Sequence, residues 1–192
     1  MSDTPTRDAK LVQFLNEAYA KEKQLETSLQ AHVDATPRDD YAQRLRDHLK
    51  ETKSHATQVA RRIKQLGGSP EMVSIPGPDG LGRMAESVAE KLGKAKAAAQ
   101  GPLQTVRGSG EQERMLHNAR AEYADEAQEI ATYMVIDSLA TAVGDKATAK
   151  LARDIMREEE RMQKFLTDLL PELTAGVAHD VIPISELPTA KA

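Results

Sequence analysis

Apolar residues recur every three or four positions along four long stretches of the chain, which is the period of an amphipathic α-helix. The first two stretches run from about Arg7 to Val33 and from about Arg38 to Leu66. The last two run from about Glu111 to Val143 and from about Ala147 to Leu170. At a rise of 1.5 Å per residue, this pattern predicts four helices, each ~40 Å long.

The connections between these stretches are short, long and short. The turns "DATPRDD" and "GDK" make each flanking pair of helices an antiparallel hairpin. Residues 67–110 hold nine of the eleven glycines and include a predicted short helix over 83–99. This segment is long enough to return along the whole bundle, which favours a ferritin-like four-helix bundle with one long crossover. An up-down-up-down bundle stays open if the segment folds back on itself.

The predicted bundle covers residues 1–172, and the composition of the chain agrees with an all-α class. Aromatic residues make up 3% and charged residues 29% of the chain, and its commonest residues are strong helix formers. Residues 173–192 contain Pro183 and Pro188. We expect this tail to wrap the surface or to be disordered.

Two sequence matches indicate that one helical hairpin has been duplicated. The pattern Tyr-Ala-x-Glu-x-Gln occurs as "YAKEKQ" and again as "YADEAQ", and it places Glu22 and Glu126 on apolar seams. In the following helices, "DHLKETKSH" aligns with "DIMREEERM", so that Glu51 matches Glu158. The two glutamates of the first hairpin are 29 residues apart and those of the second are 32 apart. This nearly equal spacing favours duplication over shared composition.

Duplication would bring four seam glutamates together at the centre of the bundle. Ionised carboxylates in an apolar interior repel one another and lose their hydration, so a cation must neutralise them. Carboxylate and imidazole ligands suit two divalent ions, iron or manganese, with zinc as a further choice. His55 lies one turn from Glu51, so both can face one ion. The predicted metal ligands are Glu22, Glu51, His55, Glu126 and Glu158, with Glu129 and Glu159 as further candidates.

The spacing along the sequence assigns no ligand role to the other histidines. His48 lies one turn before Glu51, and we expect it beside the ligands or partly exposed. The remaining three, His32, His117 and His179, have no partner by spacing. Three tyrosines are expected to pack near the carboxylates, with hydroxyls bonded to glutamate ligands: Tyr19, Tyr123 and Tyr133.

The segments "LNEAYAKEKQL", "HLKETKSH" and "EAQEIATY" together resemble the YciE/YciF-type ferritin-like stress proteins. The last segment, from Glu126 to Tyr133, matches that family's Glu-x-x-Glu-Ile-Ala-x-Tyr pattern. The resemblance covers most of residues 10–170. It implies a di-metal carboxylate bundle, often dimeric, with a role in stress response and no settled substrate. Helix four departs from the ferritin-like pattern, because Met162 and Gln163 stand where a histidine or aspartate is expected. We therefore expect unequal metal positions, with the His55 side filled first.

Charge and cysteine content exclude several other classes of function. The net charge of −4 offers no general attraction to nucleic acid or anionic membranes. The absence of cysteine excludes disulfides, thiolate metal sites and a cysteine nucleophile. No apolar run approaches the ~18 residues of a membrane span. The polar N-terminus lacks the apolar core of a signal peptide, so we expect a cytoplasmic protein.

Three functional hypotheses remain. The first is a di-iron or di-manganese protein that handles iron or peroxide with a small oxidant and forms a homodimer. If it is an enzyme, this hypothesis makes it an oxidoreductase of ferroxidase or peroxidase type. The second is a metal-free helical scaffold that binds a partner under stress. The third is a hydrophilic, desiccation-type protein that is unfolded when dilute, and the sustained apolar seams argue against it.

Overall fold

The computed structural model describes residues 5–73 and 110–187, which form four long helices and one short 3₁₀ turn. The predicted crossover helix over residues 83–99 lies outside the described residues. None of the helices in the described ranges has the length and hydrophobicity needed to span a bilayer. The elements are α1 (Thr6–Ala35), α2 (Asp39–Gln65), α3 (Glu111–Ala142), α4 (Lys146–Val181) and the 3₁₀ turn (Ile184–Glu186).

Glycines end α2 and α3 in the same way. Gly67 and Gly144 adopt positive φ angles of 81° and 78°, a conformation that costs glycine little. After α3, the Gly144 amide donates to Thr141 and the Asp145 amide to Ala140, so that two carbonyls of the last turn are satisfied. The Asp145 side chain then accepts from the amide of Thr148 and caps α4. This makes the tight turn between α3 and α4.

The order of contacts along the helices gives the topology. Near one end of the bundle, Leu29 of α1 packs in a cluster with Tyr41 of α2 and Met115 of α3. Near the other end, Ile63 of α2 and Ile136 of α3 share a second cluster. The helices α2 and α3 therefore run in the same direction, and the chain between them must cross the length of the bundle. The predicted all-α, ferritin-like arrangement with a long crossover is confirmed.

The predicted end of the fourth helix at about Leu170 is wrong, because α4 continues to Val181. Pro171 lies inside the helix, where it removes one backbone hydrogen bond. Its side chain is exposed, so the disturbed turn faces solvent. Leu173 continues the buried stripe that includes Leu169 and is 1% exposed. Burial of this leucine in the core outweighs the local effect of the proline.

Replacement of Leu173 by alanine tests this extension of α4. We expect Leu173→Ala to lower the free energy of unfolding by about 2–5 kcal/mol, because a buried leucine leaves a cavity when it is truncated. Thr174→Ala, on the neighbouring exposed position, should change it by no more than ~0.5 kcal/mol. Urea unfolding followed by circular dichroism measures both values, and equal stabilities would contradict packing of this segment in the core.

Candidate metal centre

A layer of buried polar side chains separates two apolar parts of the bundle core. All four helices contribute to the layer, and its members are at most 2% exposed. Such a layer is unusual, because a buried polar group costs free energy unless it finds a partner. The members of this polar layer are Glu22, His48, Thr52, His55, Glu126, Glu129 and Glu159.

Three of these side chains form a first cluster, contributed by α1, α2 and α4. His55 Nδ1 lies 2.8 Å from an oxygen of Glu159 and 3.5 Å from an oxygen of Glu22. One ligand atom from each residue lies within 4.8 Å of the other two. The cluster therefore presents one imidazole nitrogen and two carboxylates to a common point.

A second cluster combines side chains from α2, α3 and α4. His48 Nε2 lies 2.9 Å from Glu126 Oε1 and 3.7 Å from Glu159 Oε2. Glu159 belongs to both clusters, and it faces His55 with Oε1 and His48 with Oε2. A carboxylate that turns one oxygen to each of two neighbouring centres has the arrangement of a bridging ligand.

The inner atoms of the two clusters are close but are not aligned for hydrogen bonding. Within the described parts of the chain, His48 Nε2, His55 Nδ1 and both oxygens of Glu159 have no hydrogen-bond partner. Two ligand atoms that each lie ~2.1 Å from one metal ion would be about 3 Å from each other. The separations of 2.8 and 2.9 Å between nitrogen and oxygen match this value. The donor set therefore fits divalent metal ions.

Burial and mutual repulsion disfavour ionisation of two carboxyl groups on α3. Burial, followed by the charges of Glu22 and Glu159, raises the pKa of Glu129 well above its ordinary value. Burial also raises the pKa of Glu126 to about 8, although the charge of His48 opposes this effect. Both oxygens of Glu129 lack a hydrogen-bond partner among the described residues. Both shifts oppose ionisation when no metal is bound, and the charge of His48 partly offsets this for Glu126.

The two histidines show the opposite response to the same surroundings. Burial lowers the pKa of His48, but Glu126, Glu51 and Glu159 together outweigh burial and bring the pKa to about 10. Burial likewise lowers the pKa of His55, and Glu159 and Glu22 bring it to about 11. In the metal-free protein, protonated imidazoles thus supply the positive charge that this layer requires.

The structure brings together five of the seven candidate ligands and leaves two outside. Glu22, His55, Glu126, Glu129 and Glu159 lie in the polar layer. The expectation that Glu51 and Glu158 lie at the bundle centre is wrong, since their side chains are 26% and 36% exposed. The two hairpins still align, but in α2 and α4 the residue that faces the core is one position after the predicted one. That position carries Thr52 in α2 and Glu159, the alternative candidate, in α4.

His48 is the ligand candidate that the sequence analysis missed. We expected it beside the ligands or partly exposed, and the structure buries it completely within the second cluster. A signal was present, because His48 lies on the same apolar seam of α2 as Thr52 and His55.

The burial of His48 also changes the predicted asymmetry between the two metal positions. Each cluster has one histidine, so Met162 in α4 no longer leaves one position without nitrogen.

The polar layer contains the ligand types of a ferritin-like centre in a different distribution. Such centres take one glutamate from each of two helices and Glu-x-x-His from each of the other two. Here α2 has Thr52-x-x-His55 and α4 has Glu159-x-x-Met162, so each lacks one member of that motif. His48 supplies the second imidazole, and Glu129 supplies the fourth carboxylate. The sum remains four carboxylates and two imidazoles.

Side chains around the polar layer hold its glutamates from outside. The Tyr133 hydroxyl donates to Glu22 Oε1 over 2.5 Å, as expected for one of the three tyrosines.

A separate group of buried polar side chains lies nearer the end of the bundle. There Glu122 accepts from the hydroxyl of Tyr41 and contacts His32 Nδ1 at 2.5 Å. His32, which has no partner by spacing along the sequence, therefore finds its partner on α3.

Comparison with known proteins agrees with this architecture. A family model described as "Domain of unknown function (DUF892)" matches residues 6–178. No curated protein matches the chain. Among solved structures, a protein from Xanthomonas campestris shares 22% identity at a TM-score of 0.67, with 91% of this chain and 97% of that one covered.

Two further solved structures have informative descriptions. The Escherichia coli stress protein YciF shares 22% identity at a TM-score of 0.62, covering 89% of this chain and 98% of that one. Desulfovibrio desulfuricans bacterioferritin, described with a diiron site, shares 19% identity at a TM-score of 0.64. That alignment covers 100% of this chain and 98% of the other. These similarities establish the shared fold.

Replacement of Glu129 by glutamine tests the electrostatics of the polar layer. The raised pKa means that folding retains a proton that the unfolded chain loses above pH 4.5, so the cost to stability grows as pH rises. The glutamine amide can instead donate to the neighbouring carboxylates. At pH 8, we expect the free energy of unfolding of metal-free Glu129→Gln to be ~1–3 kcal/mol higher than that of wild type.

This difference should disappear near pH 4, where the unfolded chain also holds the proton. Glu160→Gln provides the matched control, because it removes the same charge from an exposed position of α4. Urea unfolding across pH measures all three proteins. A Glu129→Gln variant no more stable than wild type at pH 8 would contradict the unfavourable burial of this carboxyl group.

Proposed function

This chain belongs to the DUF892 family, and from that premise we propose that it is a ferritin-like protein that binds two divalent metal ions in its polar layer. One ion would be held by Glu22, His55 and Glu159. The other would be held by His48, Glu126 and Glu159. Glu129 is the remaining buried carboxylate and is available to either position.

The shared position of Glu159 carries this proposal. Its two oxygens face two different imidazole nitrogens, and neither oxygen has a hydrogen-bond partner within the described residues. Two ions in such a site are ~3.5–4 Å apart, a distance that one carboxylate can bridge. A purely structural ion-pair network would instead align donor hydrogens with these oxygens.

The chemistry of the donors favours iron or manganese, with zinc as a further candidate. Oxygen and imidazole ligands suit these ions, and the layer offers no thiolate. Four carboxylates balance the charge of two divalent ions when both histidines are neutral. The apolar clusters on either side keep bulk water away from the ligands.

We further propose a role in handling iron or peroxide under oxidative stress. The E. coli protein with this fold is described as a stress protein, and the bacterioferritin as having a diiron site. A bound pair of iron or manganese ions would supply electrons to a small oxidant, oxygen or peroxide. The residues of this chain hold the ligands in place, as Tyr133 does through its bond to Glu22. A homodimer and a cytoplasmic location stay predictions.

Metal binding by single variants tests the assignment of ligands. We expect two iron or manganese ions per wild-type chain, measured by elemental analysis and calorimetric titration under anaerobic conditions. His55→Ala should weaken one position and His48→Ala the other, each by at least 10-fold, because each removes the only nitrogen of one cluster. Glu159→Gln should weaken both positions, since Glu159 is shared.

Glu160→Gln is again the control, and it should bind two ions as wild type does. Retention of both ions by Glu159→Gln would contradict the bridging arrangement. A wild-type protein that keeps its helices but binds none of the three metals would exclude the metal site. That result would favour the alternative, a metal-free helical scaffold that recognises a partner.

Proton release on metal binding is a further expected property. The raised pKa values of His48 and His55, about 10 and 11, mean that both rings are protonated at neutral pH without metal. Binding must remove a proton from each ring, so the apparent affinity should rise with pH between 6 and 9. Calorimetry in buffers of different ionisation enthalpy measures the released protons. Binding with no proton release would contradict ligation by these two histidines.

A further inference from the structure

Each histidine of the polar layer makes a hydrogen bond on its outer side. His48 Nδ1 is 3.2 Å from Glu51 Oε2, one turn along α2. His55 Nε2 is 2.8 Å from Glu158 Oε2, which reaches across from α4. The opposite nitrogens, His48 Nε2 and His55 Nδ1, face the clusters without aligned partners among the described residues.

Both outer glutamates have an arginine beside them. Arg44 Nη1 lies 3.0 Å from the same Glu51 oxygen that faces His48. Arg161 Nη2 lies 3.6 Å from Glu158 Oε1, which leaves Oε2 for His55. An ionised carboxylate accepts hydrogen bonds and donates none, so the proton between the two groups belongs to the imidazole.

We propose that Glu51 and Glu158 are positioning residues that hold the two histidines in opposite tautomers. His48 carries its proton on Nδ1 and presents Nε2 to a metal ion. His55 carries its proton on Nε2 and presents Nδ1. The inference rests on the proposed metal function, and it gives a role to two glutamates that lie outside the polar layer.

The geometry of α2 agrees with this difference between the two rings. His48 and His55 are seven residues apart, so they leave α2 on the same face, about two turns from each other. Their two clusters share Glu159, which lies between the rings. His48 reaches the shared region with the far nitrogen of its ring, and His55 reaches it with the near one. Hydrogen bonds from outside commonly select the tautomer of a metal-binding histidine.

Nuclear magnetic resonance of zinc-loaded protein reads the tautomers directly. Zinc is diamagnetic, and a long-range proton–nitrogen correlation of ¹⁵N-histidine-labelled protein distinguishes protonated from metal-bound nitrogens. We expect protonated Nδ1 and metal-bound Nε2 for His48, with the reverse for His55. Zinc bound through His48 Nδ1 or His55 Nε2 would overturn the inference while leaving the metal site intact.

Three matched variants test the one-to-one pairing. Glu51→Gln should perturb the ring resonances of His48 and lower zinc affinity about 10–100-fold, and Glu158→Gln should do the same for His55. Glu160→Gln, exposed on α4, should change neither. Wild-type affinity and resonances in the first two variants would overturn the positioning role. A folded wild type that binds no zinc, iron or manganese would instead overturn the proposed function, and the inference with it.

Discussion

The burial of four carboxyl groups at the centre of an apolar four-helix bundle is the constraint on which the rest of this structure depends. Ionised groups cannot remain there without compensating positive charge. In the metal-free protein, this charge comes from His48 and His55, whose pKa values lie at about 10 and 11, while the raised pKa of Glu129 favours its protonated form. Two divalent ions would replace these protons. Metal binding and the protonation of the polar layer would therefore form one coupled equilibrium.

Duplication of a hairpin explains both the symmetry and the asymmetry of the polar layer. Lys21 and Asp125 occupy the same place in the repeated Tyr-Ala-x-Glu-x-Gln pattern, and they form an ion pair of 2.5 Å between α1 and α3. The repeat therefore meets itself across the centre of the bundle. The second helices have diverged, because both histidines come from α2 and the shared carboxylate comes from α4. The ligand set is complete only when the two hairpins pack together.

The polar layer lowers the stability of the metal-free fold but favours the proposed binding of metal ions. The apolar clusters on either side stabilise the fold, whereas Glu129 and Glu159 have no hydrogen-bond partners among the described residues. Groups in this condition destabilise the metal-free protein but gain most when an ion binds. The hydrogen bonds that the outer nitrogens of His48 and His55 donate to Glu51 and Glu158 limit ring rotation. The bundle thus keeps the candidate ligands in place in the metal-free protein.

The sequence alone determined the four helices, the hairpin turns and the presence of Glu22, His55 and Glu126 at a similar height in the bundle, because helical period, glycine positions and repeats are local properties. It favoured the crossover topology, since residues 67–110 are long enough to cross the bundle, but it left an up-down-up-down bundle open. It named Glu159 only as an alternative to Glu158, since a seam with steps of three or four accepts either residue. It also stopped α4 at Pro171, where propensity opposes a helix. Tertiary packing decided these points: only contact with the other three helices selects which neighbour turns inward, buries Leu173, and brings His48 to the carboxylates of α3 and α4.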